Sequence, residues 1–147
     1  MECSAQQLSN TSWAFATLAL RNLPLLAAIS SAALPPLTDF HPQNLANTAW
    51  ACAALIYEDR PLLHSISAAA RRPLIHFPAQ EMANTLWAYA KLGFHHAPLL
   101  DAISAESMRK CLHMDAMNLS STAWAVASLA FEHEPLLEAI AAAARPK

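Results

Sequence analysis

Cysteine and histidine are the residues of this sequence that could act as nucleophiles, bases or metal ligands. The three cysteines, Cys3, Cys52 and Cys111, lie too far apart to predict a disulfide framework or a zinc knuckle, and we interpret them as small hydrophobic residues. No two of the seven histidines share a helical turn with a carboxylate, so no metal site is predicted. No serine or cysteine has an evident base. We therefore expect a chain without catalysis, metal or cofactor.

The composition excludes further classes of protein. A single glycine, Gly93, rules out the glycine-rich loops that hold phosphates in P-loop and dinucleotide-binding enzymes. The hydrophobic content of 55% is too high for a disordered chain, and no stretch is long and apolar enough to insert into a membrane. The formal net charge of −2 predicts no global attraction to nucleic acid. No signal peptide or transit peptide is visible in the sequence.

A period of 37 residues organises the sequence. The interval separates the four tryptophans, and a Pro-Leu-Leu triplet recurs with it. The tryptophans are Trp13, Trp50, Trp87 and Trp124. We expect one helical-repeat array of four units, over residues 1–37, 38–74, 75–111 and 112–147.

Each unit has room for two helices. In the second unit, an alanine-rich segment over residues 43–57 predicts the first helix. The second helix is predicted to begin at Pro61, because proline is favourable at the first helical position, and to end near Arg71. No strand-like alternation occurs. The sequence thus predicts an all-α fold, an α-solenoid of four helix pairs.

Two polar columns share one face of the predicted first helices. The first column holds Asn10, Asn47, Asn84 and Ser121, and the second holds Thr17, Ala54, Lys91 and Ser128. Asparagine is unfavourable inside a helix unless its side chain makes a specific interaction. Two interpretations stay open: a hydrogen-bonded ladder between stacked units, or one polar reader per unit for single-stranded RNA. The tryptophan column is interpreted mainly as packing between units, with stacking on bases as the alternative.

Basic residues gather after the predicted second helices. They are Arg71, Arg72, Arg109, Lys110, Arg145 and Lys147, whereas Glu58, Asp59, Glu132 and Glu134 fall between the two helices of a unit. Stacking of the units would line up the basic residues as a ridge along one edge, where an RNA backbone could bind. The alternative is that they complement helix dipoles and aid solubility.

The unit resembles a known repeat. Residues 40–66 follow the pattern Phe-x-x-Gln-x-Leu-Ala-Asn-Thr-x-Trp-Ala-x-Ala-x-Leu, five residues, then Pro-Leu-Leu-x-x-Ile, and residues 77–103 do so with Met82 in the leucine position. This pattern resembles the repeat of octotricopeptide-type proteins and the related FAST-kinase-like, RAP-domain proteins. The resemblance covers essentially the whole chain. Family units are usually near 38 residues and more numerous, and the fourth unit departs with Met117 and Ser121.

The resemblance implies an organellar RNA-binding protein of the mitochondrion or chloroplast, acting in transcript stability, processing or translation. Its first helices would face single-stranded RNA, one nucleotide per unit, and other proteins of a ribonucleoprotein complex are further expected partners. The chain is expected to be a fragment of a longer array. The alternative function is a protein-protein interaction scaffold of the same fold.

Overall fold

The computed structural model describes residues 3–145, with Pro35 and Pro36 described by their backbone only. Eight α-helices lie within the described part of the chain: α1 (Ala5–Thr17), α2 (Leu23–Ala33), α3 (Pro42–Ala54), α4 (Arg60–Arg71), α5 (Ala79–Leu92), α6 (Ala97–Lys110), α7 (Ala116–Ser128) and α8 (Glu134–Ala143). Short 3₁₀ turns over Pro35–Asp39, Leu74–His76 and Cys111–His113 connect the successive helix pairs. No strand occurs between residues 3 and 145, and the all-α prediction is confirmed. The grouping of the four 37-residue units into one solenoid array stays a prediction.

The second helix of each unit begins with the same kind of cap. The side chain of the residue before the helix accepts a hydrogen bond from the backbone N–H three residues on, which satisfies one of the unpaired donors of the first turn. These N-cap residues are Asn22, Asp59, His96 and His133. A proline follows in the first turn of all four helices, where its missing N–H costs nothing.

The first helices end earlier than the sequence predicts. Helix α3 stops at Ala54 and not at Tyr57, because Ile56 adopts a left-handed conformation with φ of 51°. The backbone then reverses, and the N–H of Tyr57 donates to the carbonyl of Cys52 over 2.8 Å. Ala19, Gly93 and Ala130 occupy the same position of the other units, also at positive φ. The hydrogen-bond pattern is that of a helix C-terminus, for which glycine is the favoured residue.

The first helices pack on one another in chain order. Helix α3 lies between α1 and α5, and α5 lies between α3 and α7, with the most extensive contacts of the fold. Ala51, Ala88 and Ala125 are completely or almost completely buried at these junctions. Their small side chains let neighbouring helices approach closely. The second helices α4, α6 and α8 form successive contacts of their own, so the core lies between two layers of helices.

The core is apolar and continuous over the four units. Leu63, Ile66, Phe77 and Ile103 have no exposed surface, and they contribute to one cluster that extends from Leu8 to Ile140. Because burial of such side chains is the main driving force of folding, this cluster stabilises the layer of first helices on the layer of second helices. None of the helices in residues 3–145 is long and apolar enough to cross a membrane.

Candidate functional site

One face of the first helices stays uncovered by the second helices. In α3, Leu45, Ala49 and Cys52 are buried, whereas Trp50 is half-buried and Ala54 is exposed. Spacings of three and four residues place the uncovered positions on one side of each helix. We call this surface the tryptophan face, and it consists of Asn10, Trp13, Thr17, Asn47, Trp50, Ala54, Asn84, Trp87, Lys91, Ser121, Trp124 and Ser128.

The tryptophans of this face pack against each other and still present exposed surface. The rings of Trp50 and Trp87 are stacked across the junction between α3 and α5, with centroids 6.4 Å apart and planes 28° from parallel. Trp13 and Trp124 are each 47% exposed. The packing predicted for this column is therefore found at the central pair. The accessible indole surface leaves the alternative, stacking on bases, open.

The predicted asparagine column lies on the tryptophan face and forms no ladder. Asn10 is exposed, whereas Asn47, Asn84 and Ser121 are half-buried, and none of the four makes a side-chain hydrogen bond to another described residue. The hydrogen bond between units comes from a different asparagine. The Nδ2 of buried Asn44 donates to the hydroxyl of Ser9 over 3.0 Å, which joins α3 to α1.

The second predicted column is solvent-exposed at the far end of the same face. Thr17, Lys91 and Ser128 are all exposed. The hydroxyl of Thr17 donates to the carbonyl of Trp13 over 2.8 Å, so its hydrogen is used within α1. Lys91 lies in the last turn of α5 and is exposed to solvent. From the first unit to the fourth, the column therefore presents the hydroxyl of Thr17, the methyl of Ala54, the ammonium of Lys91 and the hydroxyl of Ser128.

The predicted basic ridge divides into free and engaged residues. Arg71 and Arg72 are exposed where α4 ends, and Arg145 is exposed after α8. Arg109 is also exposed but pairs with Glu106 over 3.4 Å. Lys147 lies outside the described residues. The exposed arginines are on the edge of the fold from which the first helices start.

Lys110 makes hydrogen bonds within the fold, which its spacing in the sequence did not indicate. Its Nζ donates to the carbonyls of Ile75 and Phe77 over 2.9 and 2.7 Å, and it lies 3.1 Å from the carboxylate of Glu106. The side chain is half-buried, and Glu106 is buried. An ammonium has three donors, and three oxygens already surround this one. We therefore leave Lys110 out of the candidate RNA-binding surface.

The three cysteines differ in their exposure to solvent. Burial, and secondarily the charge of Asp59, raises the pKa of the Cys52 thiol to about 12, so the reactive thiolate does not form at neutral pH. Cys3 is exposed, and Cys111 is buried. Over the range from residue 3 to residue 145, no three His, Cys, Asp or Glu side chains are grouped as metal ligands.

Comparison with known proteins gives one family. The family model of RNA-editing substrate-binding complex 6 protein (RESC6) matches residues 1–134. The chain belongs to this family. No curated protein matches the chain.

The RESC6 family agrees with part of the resemblance drawn from the repeat pattern. The prediction of an RNA-associated helical protein is supported, because the family is named for an RNA-editing complex and the fold is all-α. The finer assignment to octotricopeptide-type or FAST-kinase-like proteins is not supported. Ala- and Leu-rich helix pairs satisfy the same packing rules in many families, which is why the pattern alone did not distinguish them.

Proposed function

We propose that this RESC6-family chain binds single-stranded RNA along the tryptophan face, as a non-catalytic component of an RNA-editing substrate-binding complex. The observation that carries the proposal is the row of partly exposed indoles beside unpaired asparagine side chains. The family name supports the RNA-editing context. It also favours the mitochondrion over the chloroplast as the place of action.

The side chains of the tryptophan face suit unpaired bases. Indole rings stack on any base, and each such contact contributes about 1–3 kcal/mol to binding of single strands. Asn10, Asn47 and Asn84 each offer two donors and one acceptor carbonyl to base edges. Lys91 adds a donor and a positive charge in the third unit alone. A strand on this face would therefore be held by stacking and distinguished by one polar side chain per unit.

The exposed arginines supply the electrostatic part of the proposal. Arg71 and Arg145 occupy equivalent positions of the second and fourth units, and both are exposed. Between the helices of the second and fourth units, acidic residues such as Glu58 and Glu132 lie at the opposite edge. The distribution orients a polyanion toward the arginine edge although the chain carries a net charge of −2.

The first experiment measures binding of a labelled, randomised single-stranded RNA by fluorescence anisotropy at several salt concentrations. We expect saturable binding that weakens as salt rises, with a quench of tryptophan emission over the same titration. The double variant Arg71→Ala with Arg145→Ala should lower the slope of log K against log salt by about 1.4, since each phosphate contact on a single strand contributes about 0.7. An unchanged slope would remove these arginines from the interface.

The tryptophan face is tested by Trp124→Ala, because this indole is 47% exposed and its loss costs little core. Loss of one stacked base predicts affinity weaker by about 1–3 kcal/mol at every sequence. Leu112→Ala is the matched control, because Leu112 is 76% exposed and lies off the tryptophan face, between α6 and α7. Equal effects of the two variants would contradict the assigned face.

Lys91→Ala tests the reader role of the second column. We expect a changed preference at a single nucleotide in a competition assay, whereas the arginine variants should weaken all sequences alike. Absence of any RNA binding by folded, monodisperse protein would favour the alternative function, a protein-interaction scaffold. The exposed apolar side chains of Leu18, Leu20 and Leu23 near the start of α2 are the surface that a protein ligand would then use.

A further inference from the structure

A groove of about 1010 Å³ separates α4 from the 3₁₀ turn that precedes α3. It lies away from the tryptophan face, on the side of the second helices. Its walls combine backbone, apolar side chains and the polar side chains of Thr38, Asp39, His41, Ser65 and Arg72. The lining residues that matter here are Thr38, Asp39, Phe40, Ala69, Arg72 and Pro73.

The same place in the next unit is filled by the chain itself. A shift of 37 residues carries Thr38, Phe40, Ala69, Arg72 and Pro73 onto Ile75, Phe77, Glu106, Arg109 and Lys110. There the Lys110 ammonium donates to the carbonyls of Ile75 and Phe77, and the buried Glu106 carboxylate pairs with both Lys110 and Arg109. The pair Glu106 and Lys110 is thus an internal ligand for that site.

The groove keeps the acceptor and donor groups of this site and lacks only the ligand. The carbonyls of Thr38 and Phe40 take the places of those that Lys110 binds, and they accept no hydrogen bond from another described residue. Arg72 keeps the guanidinium that pairs with the carboxylate. Ala69 and Pro73 replace Glu106 and Lys110, and their short side chains open the groove.

One further difference favours a cation in the groove. Asp39 lines it, at the position that His76 holds in the next unit. Its negative charge adds to the two carbonyls in attracting an ammonium, as the charge of Glu106 does for Lys110. Charge-assisted hydrogen bonds of this kind are about twice as strong as neutral ones.

We propose that this groove binds a helix of a partner protein that presents a glutamate and, four residues later, a lysine. The ammonium of the partner donates to the carbonyls of Thr38 and Phe40 beside Asp39, and its carboxylate pairs with Arg72. Residues four apart on a helix hold a carboxylate and an ammonium side by side, as Glu106 and Lys110 do over 3.1 Å in α6. The proposal concerns a protein ligand on a different surface and does not depend on RNA binding at the tryptophan face.

The test uses the 147-residue protein and a labelled, end-capped alanine-based peptide of about 15 residues, a length at which isolated helices form. The peptide carries one Glu-x-x-x-Lys pair, and a matched peptide has norleucine in place of lysine. Fluorescence anisotropy should show saturable binding of the first peptide and about tenfold weaker binding of the second. Absence of binding, or equal binding of the two peptides, would overturn the proposal.

The protein variant Ala69→Glu with Pro73→Lys installs the internal ligand in the groove. Pro73 has φ of −85° and Lys110 has φ of −104°, so lysine fits the backbone at this position. The filled variant should bind the peptide about tenfold more weakly while its unfolding temperature stays the same or rises. Arg72→Ala changes only an exposed side chain and should weaken binding in the same direction. Undiminished peptide binding by both variants would place the peptide elsewhere and refute the groove as its site.

Discussion

The second and third units follow the same backbone course but fix it with different side chains. Their first helices begin at the equivalent residues Pro42 and Ala79, and their second helices begin at Arg60 and Ala97. Yet Cys52, Ile56, Asp59 and Pro73 of the second unit correspond to Tyr89, Gly93, His96 and Lys110 of the third. The helices thus occupy equivalent positions in the two units. The few residues that differ decide which hydrogen bonds, grooves and titratable groups each unit has.

The largest difference between the two units is the ammonium of Lys110. Lys110→Met should lower the free energy of unfolding by about 2–3 kcal/mol, because it removes a charged donor from two carbonyls and from the buried Glu106. Urea denaturation with an unchanged m-value measures this. Lys91→Met is the control, since Lys91 is exposed, and it should change stability by less than about 0.5 kcal/mol. Similar losses in the two variants would contradict the structural role of Lys110.

The next difference is a buried hydroxyl that only the third unit has. The Tyr89 hydroxyl donates to the carbonyl of Leu63 over 2.9 Å and lies 2.8 Å from that of Ser67, joining α5 to α4. Burial raises its pKa above the ordinary value. Tyr89→Phe should cost about 1 kcal/mol in thermal or urea unfolding. Tyr57→Phe, whose hydroxyl is 3.5 Å from Asp59, should cost almost nothing, and a reversed order would contradict the stabilising role of the buried Tyr89 hydroxyl.

Substitutions at the residue with positive φ that follows the first helix should raise stability in the second unit and lower it in the third. Ile56→Gly should stabilise the protein by about 1 kcal/mol, because a β-branched residue at φ of 51° is strained where glycine is not. Gly93→Ala should destabilise by a similar amount. A Cβ at Gly93 meets no heavy atom within 4 Å, so that loss would come from the backbone alone. Chemical denaturation of both variants checks the signs, and a destabilised Ile56→Gly would indicate that the isoleucine side chain contributes contacts in solution.

The smallest expected effect is the response of the α6 cap, His96, to pH. Burial, and then the positive charge of His64, lowers the pKa of His96, whose Nδ1 accepts from the N–H of Leu99. The neutral ring is favoured in the folded state, so the unfolded chain binds the proton first as pH falls. Stability should decline as pH decreases from about 6.5 toward the lowered pKa and then change no further through this group.

A variant at His96 separates the contribution of this cap to the pH dependence of stability from that of the other titratable groups. His96→Asn places at this position the residue that caps α2 at Asn22. Unfolding curves at neutral and mildly acidic pH should show a smaller pH dependence for His96→Asn than for the parent chain. The same decline in both proteins would assign it to the other histidines.

Sequence alone predicted the helix pairs, because their signals are local. Proline in the first turn, apolar residues three and four apart, and the 37-residue period act within one helix or between identical neighbours. The end of α3 was missed because the left-handed residue is isoleucine and not the glycine that would have marked it. The predicted columns Asn10 to Ser121 and Thr17 to Ser128 do lie together on one face. Their role as readers of RNA stays a proposal.

Only the tertiary structure decided what individual polar side chains do. The bond from Asn44 to Ser9 and those from Lys110 to Ile75 and Phe77 join residues 33–35 positions apart. Neither residue type nor local spacing distinguishes Asn44, which joins two units, from Asn47, which is half-buried on the tryptophan face one turn later. The sequence determined that the chain would be all-α, with two helices in each 37-residue interval. The rotation of each helix about its axis, set by packing of the whole layer, decided which side chains were left free to bind a ligand.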